Sequence, residues 1–156
     1  STENILSWDK QVLNSSSRIY ALTDILCVNE SEAQTILGQE EVIETEEAIQ
    51  EAMKELLKLC CTVIITLGSK GAAIATRNQP KAKWVLAEKV HNVVDTTGAG
   101  DSFVGSMAYY LANHQGLELT EVVSRACQVA TITVQKEGTQ TSFPNKEELP
   151  KSLFEQ

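Results

Sequence analysis

Two short apolar runs, Ile25-Leu26-Cys27-Val28 and Val63-Ile64-Ile65-Thr66-Leu67, are bounded by polar residues and read as buried parallel strands. Between them, Ala48, Ile49, Ala52, Met53, Leu56 and Leu57 recur at intervals of three and four. That spacing predicts an amphipathic helix over Glu44 to Lys58, with acids early and lysines late. Asn29 or Ser31 can cap an earlier helix carrying Ala33, Ile36 and Leu37, and Gly38 ends it. After the second run, Gly68-Ser69-Lys70-Gly71 makes a tight turn and Ala72 to Arg77 departs as a strand. Trp84-Val85-Leu86-Ala87 predicts one more short strand. Ser102 to Leu111 is almost wholly apolar and predicts a buried helix. Thr120 then caps a helix running to about Val134, with Ala126, Val129, Ala130 and Thr133 inward. Pro144 and Pro150 bracket a short last helix at most. The first 19 residues are an unassigned lead, polar and weakly patterned, with at most a short helix around Ile5, Leu6 and Trp8. From residue 20 to 156 strands alternate with helices, which predicts a doubly wound, mainly parallel α/β layer with no internal boundary.

Composition changes this picture little. The 156 residues suffice for one domain with a real core, and the balance of 42% hydrophobic to 22% charged residues is that of a globular protein. A net charge of −8 argues against a nucleic-acid partner, which needs a basic face. An anionic ligand would have to be held by local donors. Cys27, Cys60, Cys61 and Cys127 form no Cys-x-x-Cys pair and lack a nearby histidine, which argues against zinc. No apolar run has membrane length and no leader is recognisable, so the expected home is a reducing cytoplasm. His91 and His114 are isolated and expected at the surface.

The chemistry concentrates in Asp95-Thr96-Thr97-Gly98-Ala99-Gly100-Asp101-Ser102-Phe103. Glycines at a helix start let the backbone approach a ligand, and the free N–H groups of the first turn face an anion. Asp101 would repel a phosphate if binding were the only task. It is expected there if it takes a proton from a nucleophile while the amides neutralise the developing phosphoryl charge. The plain alternative is a Gly-rich turn capped by Asp101. No Gly-Lys-Ser/Thr follows, so this is not a Walker loop.

The string resembles the second signature of the ribokinase (PfkB) family of carbohydrate kinases. The motif order agrees from Tyr20 to Phe154: Asn-x-x-Glu at Asn29 to Glu32, Thr-Leu-Gly-x-x-Gly at Thr66 to Gly71, then Gly-Ala-Gly-Asp, then Gly-Thr-Gln-x-Ser at Gly138 to Ser142. The resemblance implies the C-terminal, nucleotide-binding half of a ribokinase-like fold and transfer of phosphate from ATP to a sugar hydroxyl, ribose being the expected pentose. It makes Asp101 the general base beside the sugar substrate, with Gly98, Ala99 and Gly100 forming the anion hole. It places Asn29 near the nucleotide phosphates and Glu32 on hydrated Mg²⁺. Thr66, Leu67, Gly68, Ser69, Lys70 and Gly71 would run beside ATP, together with Gly100 and Asp101. Cys127 stands where relatives often carry a polar residue near the adenine, or is a plain core cysteine. A monovalent cation, K⁺, would be held by Asp95 and Thr97, with Thr133, Lys136, Gly138 and Ser142 contributing mostly backbone carbonyls. Lys136 could offer only its carbonyl, since its ammonium is all donor.

Family members are roughly twice as long, and nothing in Ser1 to Asp24 resembles their Gly-Gly sugar motif. Two other readings therefore stand beside the kinase: an inactive nucleotide-binding module and an interaction fragment lacking the sugar site. The strands that would flank Ile25 to Val28 are expected to be missing, which predicts an open sheet edge and self-association, for instance as a homodimer.

Overall fold

The computed structural model describes residues 5–7, 18–89, 96, 98–135, 144, 147 and 149–154. Contacts within the chain gather into two compact units, 1–85 and 86–156.

The first unit is a five-stranded sheet in sequence order: β1 (Ile5–Ser7), β2 (Ile25–Asn29), β3 (Thr62–Thr66), β4 (Ala72–Thr76) and β5 (Lys83–Val85). β1, β2 and β3 are parallel, whereas β4 and β5 run antiparallel. The sheet is thus mixed: parallel where helices intervene, antiparallel where Gly68–Lys70 closes a hairpin. One expectation is corrected here. A strand flanking Ile25 to Val28 is present, because Ile5, Leu6 and Ser7 pair with Ile25, Leu26 and Cys27. A run of three residues is too short to show a period, so the sequence did not reveal it. The last strand is also shorter than expected, ending at Val85.

Among the described residues, three helices belong to this unit: α1 (Arg18–Ala21), α2 (Glu30–Leu37) and α3 (Glu46–Leu56). Thr45 starts α3, its hydroxyl accepting from the Ala48 amide at 3.1 Å. Ile49, Ala52, Met53 and Leu56 form its buried stripe. They join Leu26, Val28, Val63, Ile65, Ala73 and Ala75 from one face of the sheet in a single core. Alternate residues Ile25, Cys27, Ile64 and Ile74, on the other face, are buried as well, as a sheet of this class requires. Past the end of α3, Arg77 Nε donates to the Leu57 carbonyl at 2.9 Å, supplying a donor that the helix end lacks. Gln50 ties α3 to the loop after β4, donating to the Pro80 carbonyl at 2.9 Å and accepting from the Ala82 amide at 2.7 Å.

The second unit is built on α4 (Ala99–Asn113) and α5 (Leu119–Thr133), which pack along each other. Phe103, Met107 and Tyr110 of α4, and Val122, Val123, Ala126, Cys127 and Val129 of α5, are buried. A one-turn 3₁₀ segment, Lys151–Phe154, follows Pro150 and buries Leu153. Arg125 clasps that turn, with Nη1 2.8 Å from the Leu153 carbonyl and Nε 2.8 Å from Glu121. Residue 119 rather than Thr120 opens α5, and its cap, Glu118, makes no side-chain bond to the helix. His114, expected at the surface, is buried. Its ring packs on those of Tyr109 and Tyr110, and Nδ1 has no partner among the described residues. His91 lies outside the described residues.

Candidate active site

In the first unit the parallel register places Asn29 opposite Thr66, so the segments after β2 and β3 emerge at one edge of the sheet. This carboxyl edge is where open α/β sheets bind ligands. Asn29 and Glu32 form a reciprocal pair there. The Glu32 amide donates to Asn29 Oδ1 and the Asn29 amide donates to Glu32 Oε2, both at 2.8 Å. Asn29, not Ser31, is the cap of α2. Burial pushes the Glu32 carboxyl up from its ordinary value, and the Asn29 amide partly offsets that. The bond uses one carboxylate oxygen, so Glu32 can offer the other to a hard cation. A single carboxylate suits Mg²⁺ that keeps its waters and leans on phosphates, not an all-protein cage. No cluster of three or more acidic, histidine or cysteine side chains that could hold a metal is found among the described residues.

Beside this pair, the Leu67 amide donates to the Gly71 carbonyl at 2.8 Å and the Gly71 amide to the Gly68 carbonyl at 3.1 Å. Gly68 has φ 57° and Gly71 has φ 99° with ψ −129°, conformations that a side chain resists. Gly68, Ser69 and Lys70 are exposed, while Thr66 is half-buried and Leu67 buried. A ligand could therefore lie on the turn's backbone with Lys70 at hand.

In the second unit, Gly98 takes the left-handed conformation, φ 80° and ψ 0°, and is the cap of α4. The helix starts earlier than the apolar run suggests, so Gly100 and Asp101 lie in its first turn and Asp101 is not the cap. The Ala99 amide reaches the Thr96 carbonyl at 3.3 Å and the Ser102 amide the Gly98 carbonyl at 2.9 Å. Among the described residues the amides of Gly100 and Asp101 have no acceptor, and no side chain caps them. A methyl group added at Gly100 would meet nothing within 4 Å, so space for an approaching group lies beside the turn. The Asp101 carboxylate is exposed. It borders a cleft of about 320 Å³ that runs past Gly105, Ser106 and Tyr109 toward Val129, Leu149 and Phe154. Two amides at a positive helix end, without an acceptor among the described residues and beside an exposed carboxylate, can neutralise an anion and accept a proton in one place.

Of the positions expected to hold a monovalent cation, Thr133 ends α5 and is fully buried. Asp95, Thr97, Lys136, Gly138 and Ser142 lie outside the described residues. Cys127 is buried, and desolvation pushes its thiol up to about 11. That favours its reading as a core residue. What the sequence reading missed is the hydrogen bond between Ser102 and Thr133. The available signal was a hydroxyl at the end of the inward row Ala126, Val129, Thr133, where an apolar residue would otherwise stand.

A family model for pfkB family carbohydrate kinases matches residues 4–146. The chain belongs to that family of carbohydrate kinases. Among individual relatives, it is 44% identical to a ribokinase of Mus musculus over 137 residues, which are 88% of this chain and 42% of the relative. It is similar in structure to Arabidopsis thaliana ribokinase complexed with ribose and ATP, with a TM-score of 0.76, 31% identity, and coverage of 85% of this chain and 41% of that one. The ribokinase of Thermotoga maritima gives a TM-score of 0.72 at 31% identity, covering 86% and 43%. The chain thus spans less than half the length of these relatives.

Proposed function

We propose that the protein to which this chain belongs transfers the γ-phosphoryl group of Mg·ATP to a hydroxyl of ribose. The observation that carries the proposal is the first turn of α4, where amides without an acceptor among the described residues and the exposed Asp101 carboxylate stand together behind a left-handed Gly98. Asp101 accepts the hydroxyl proton as that oxygen forms its bond to phosphorus. The bond from phosphorus to the ADP oxygen breaks, and ADP leaves with those electrons. The Gly98, Ala99 and Gly100 backbone faces the charge spread over the phosphoryl oxygens, in keeping with a reaction governed by position and electrostatics. Asn29 and the Thr66 to Gly71 turn would hold the nucleotide, and Glu32 would hold hydrated Mg²⁺, which would supply positive charge to the phosphates. Asp95, Thr97, Thr133, Lys136, Gly138 and Ser142 would hold K⁺, whose charge would steady the backbone that presents the anion hole. The choice of ribose and ATP is supported by the relatives named ribokinase and by the ribose and ATP bound in the Arabidopsis protein.

Asp101→Asn tests the reading. In a coupled ADP-release assay with ribose it should lower turnover by a factor of about a hundred to ten thousand, while calorimetric ATP binding persists. Unchanged turnover would remove Asp101 from the role of base.

A second reading rests on length. Because the chain spans 42% of the mouse relative, it could hold nucleotide without turnover. ATP binding without ribose-dependent ADP release is the outcome that selects this reading. Self-association is part of the same proposal: β1 and β5 are the outer strands among those described, and outer strands offer unpaired backbone groups. Light scattering at micromolar concentration decides it, and a monomer would refute it.

A further inference from the structure

Two buried hydroxyls in the second unit have no side-chain role in the proposed reaction. Ser102 Oγ and Thr133 Oγ1 lie 2.8 Å apart, and the residues are 8% and 0% exposed. Thr133 Oγ1 also lies 3.0 Å from the Val129 carbonyl, which can only accept. The Thr133 proton goes to that carbonyl, so Ser102 must be the donor to Thr133. A directed relay therefore runs from Ser102 on α4 through Thr133 to the backbone of α5.

Ser102 is held from its backbone too. Its amide donates to the Gly98 carbonyl at 2.9 Å, and its carbonyl accepts from Ser106 Oγ at 2.7 Å. It directly follows Gly100 and Asp101. Phe103, Met107 and Tyr110 are the buried apolar side chains of α4, but apolar contact is non-directional and leaves helix rotation and sliding weakly defined. A buried hydrogen bond has a preferred distance and angle, and is the only tie of that kind between the first turn of α4 and α5 among the described residues.

We infer that Ser102 and Thr133 are positioning residues, whose hydrogen bond sets the angle at which the first turn of α4 presents its amides and the Asp101 carboxylate. What is presented, and to what, rests on the kinase reading above; the tie itself does not.

The test compares wild type with Ser102→Ala, Thr133→Val and Thr133→Ser. Hydrogen exchange at the Ser102 and Phe103 amides should quicken about tenfold in the first two, while the Tyr110 amide is unchanged. Thr133→Ser retains the hydroxyl and should restore slow exchange. In the ADP-release assay the first two should lower kcat with little change in KM for ATP, again rescued by Thr133→Ser. Exchange that quickens evenly along α4, or does not quicken, overturns the inference. A wild-type protein that neither binds Mg·ATP nor releases ADP counts against the kinase reading alone, since the exchange result still decides the tie.

Discussion

Asn29 and Glu32 hold one another through their backbones: each side chain accepts from the other's amide at 2.8 Å. The pair expected to face nucleotide and metal is thus also a capping box that starts α2. The two roles separate by substitution. Asn29→Ala should cost about 1 kcal/mol in urea denaturation, because it leaves the Glu32 amide uncapped. Glu32→Gln can still accept from the Asn29 amide, so its urea midpoint at neutral pH should not fall, while Mg²⁺-dependent ATP affinity does. Equal affinity in the two proteins would detach Glu32 from the metal.

Glu32 also makes a pH prediction. Burial raises its folded carboxyl value above the ordinary 4.5, so over that interval the folded state holds more proton than the unfolded one. Its contribution is full below the ordinary value and is lost as pH rises through the raised one. Wild type should therefore lose stability relative to Glu32→Gln as pH climbs from about 4 upward. A constant difference between the two across that range would contradict the buried carboxyl.

The thiols should divide sharply. Cys61 is exposed, whereas burial raises the Cys127 thiol to about 11 and also raises Cys60, whose sulfur donates to the Thr23 carbonyl at 3.0 Å. Because the thiolate is the reactive form, iodoacetamide at pH 8 should label Cys61 rapidly and Cys127 only on unfolding. Native labelling of Cys127 that ATP blocks would instead return it to the adenine site.

Arg125 should matter out of proportion to its surface. It is 8% exposed, bonds the Leu153 carbonyl and stands 5.8 Å over the Tyr110 ring. Arg125→Ala should cost about 2 to 3 kcal/mol and free the Lys151–Phe154 turn, read as faster exchange at the Leu153 amide. Arg125→Lys should rescue little, since an ammonium cannot reproduce the guanidinium fork.

Potassium should raise ADP release relative to sodium, and Asp95→Ala should blunt the difference. Equal rates in both salts would remove the cation from the proposal.

Much of this was legible from the residues. Strand β2 is a short apolar run and β3 a β-branched one, and α3 carries an unbroken three-and-four pattern, so local sequence and tertiary burial agree. The site turns were legible because glycine marks backbone that other residues avoid, at Gly68, Gly71 and Gly98. β1 was not, since a three-residue strand is specified by its neighbour β2 and not by its own pattern. His114 was not, because a polar ring after an apolar helix reads as solvent-facing until Tyr109 and Tyr110 are seen to pack on it. The Ser102–Thr133 bond joins residues 31 apart, a relationship no local pattern carries.

The left-handed cap at Gly98 has a stereochemical consequence. At φ 80° an L-alanine suffers the contact between its Cβ and the backbone that costs roughly 1 to 2 kcal/mol, whereas a D-alanine is at home there. The ribosome cannot write that residue, so evolution's only achiral letter is the sole strain-free choice open to it. Chemical ligation has no such restriction. A semisynthetic chain with D-alanine at position 98 should keep the turn's shape while narrowing the unfolded ensemble that glycine leaves wide. The handedness of one atom's substituents thus separates what inheritance can do at this turn from what synthesis can.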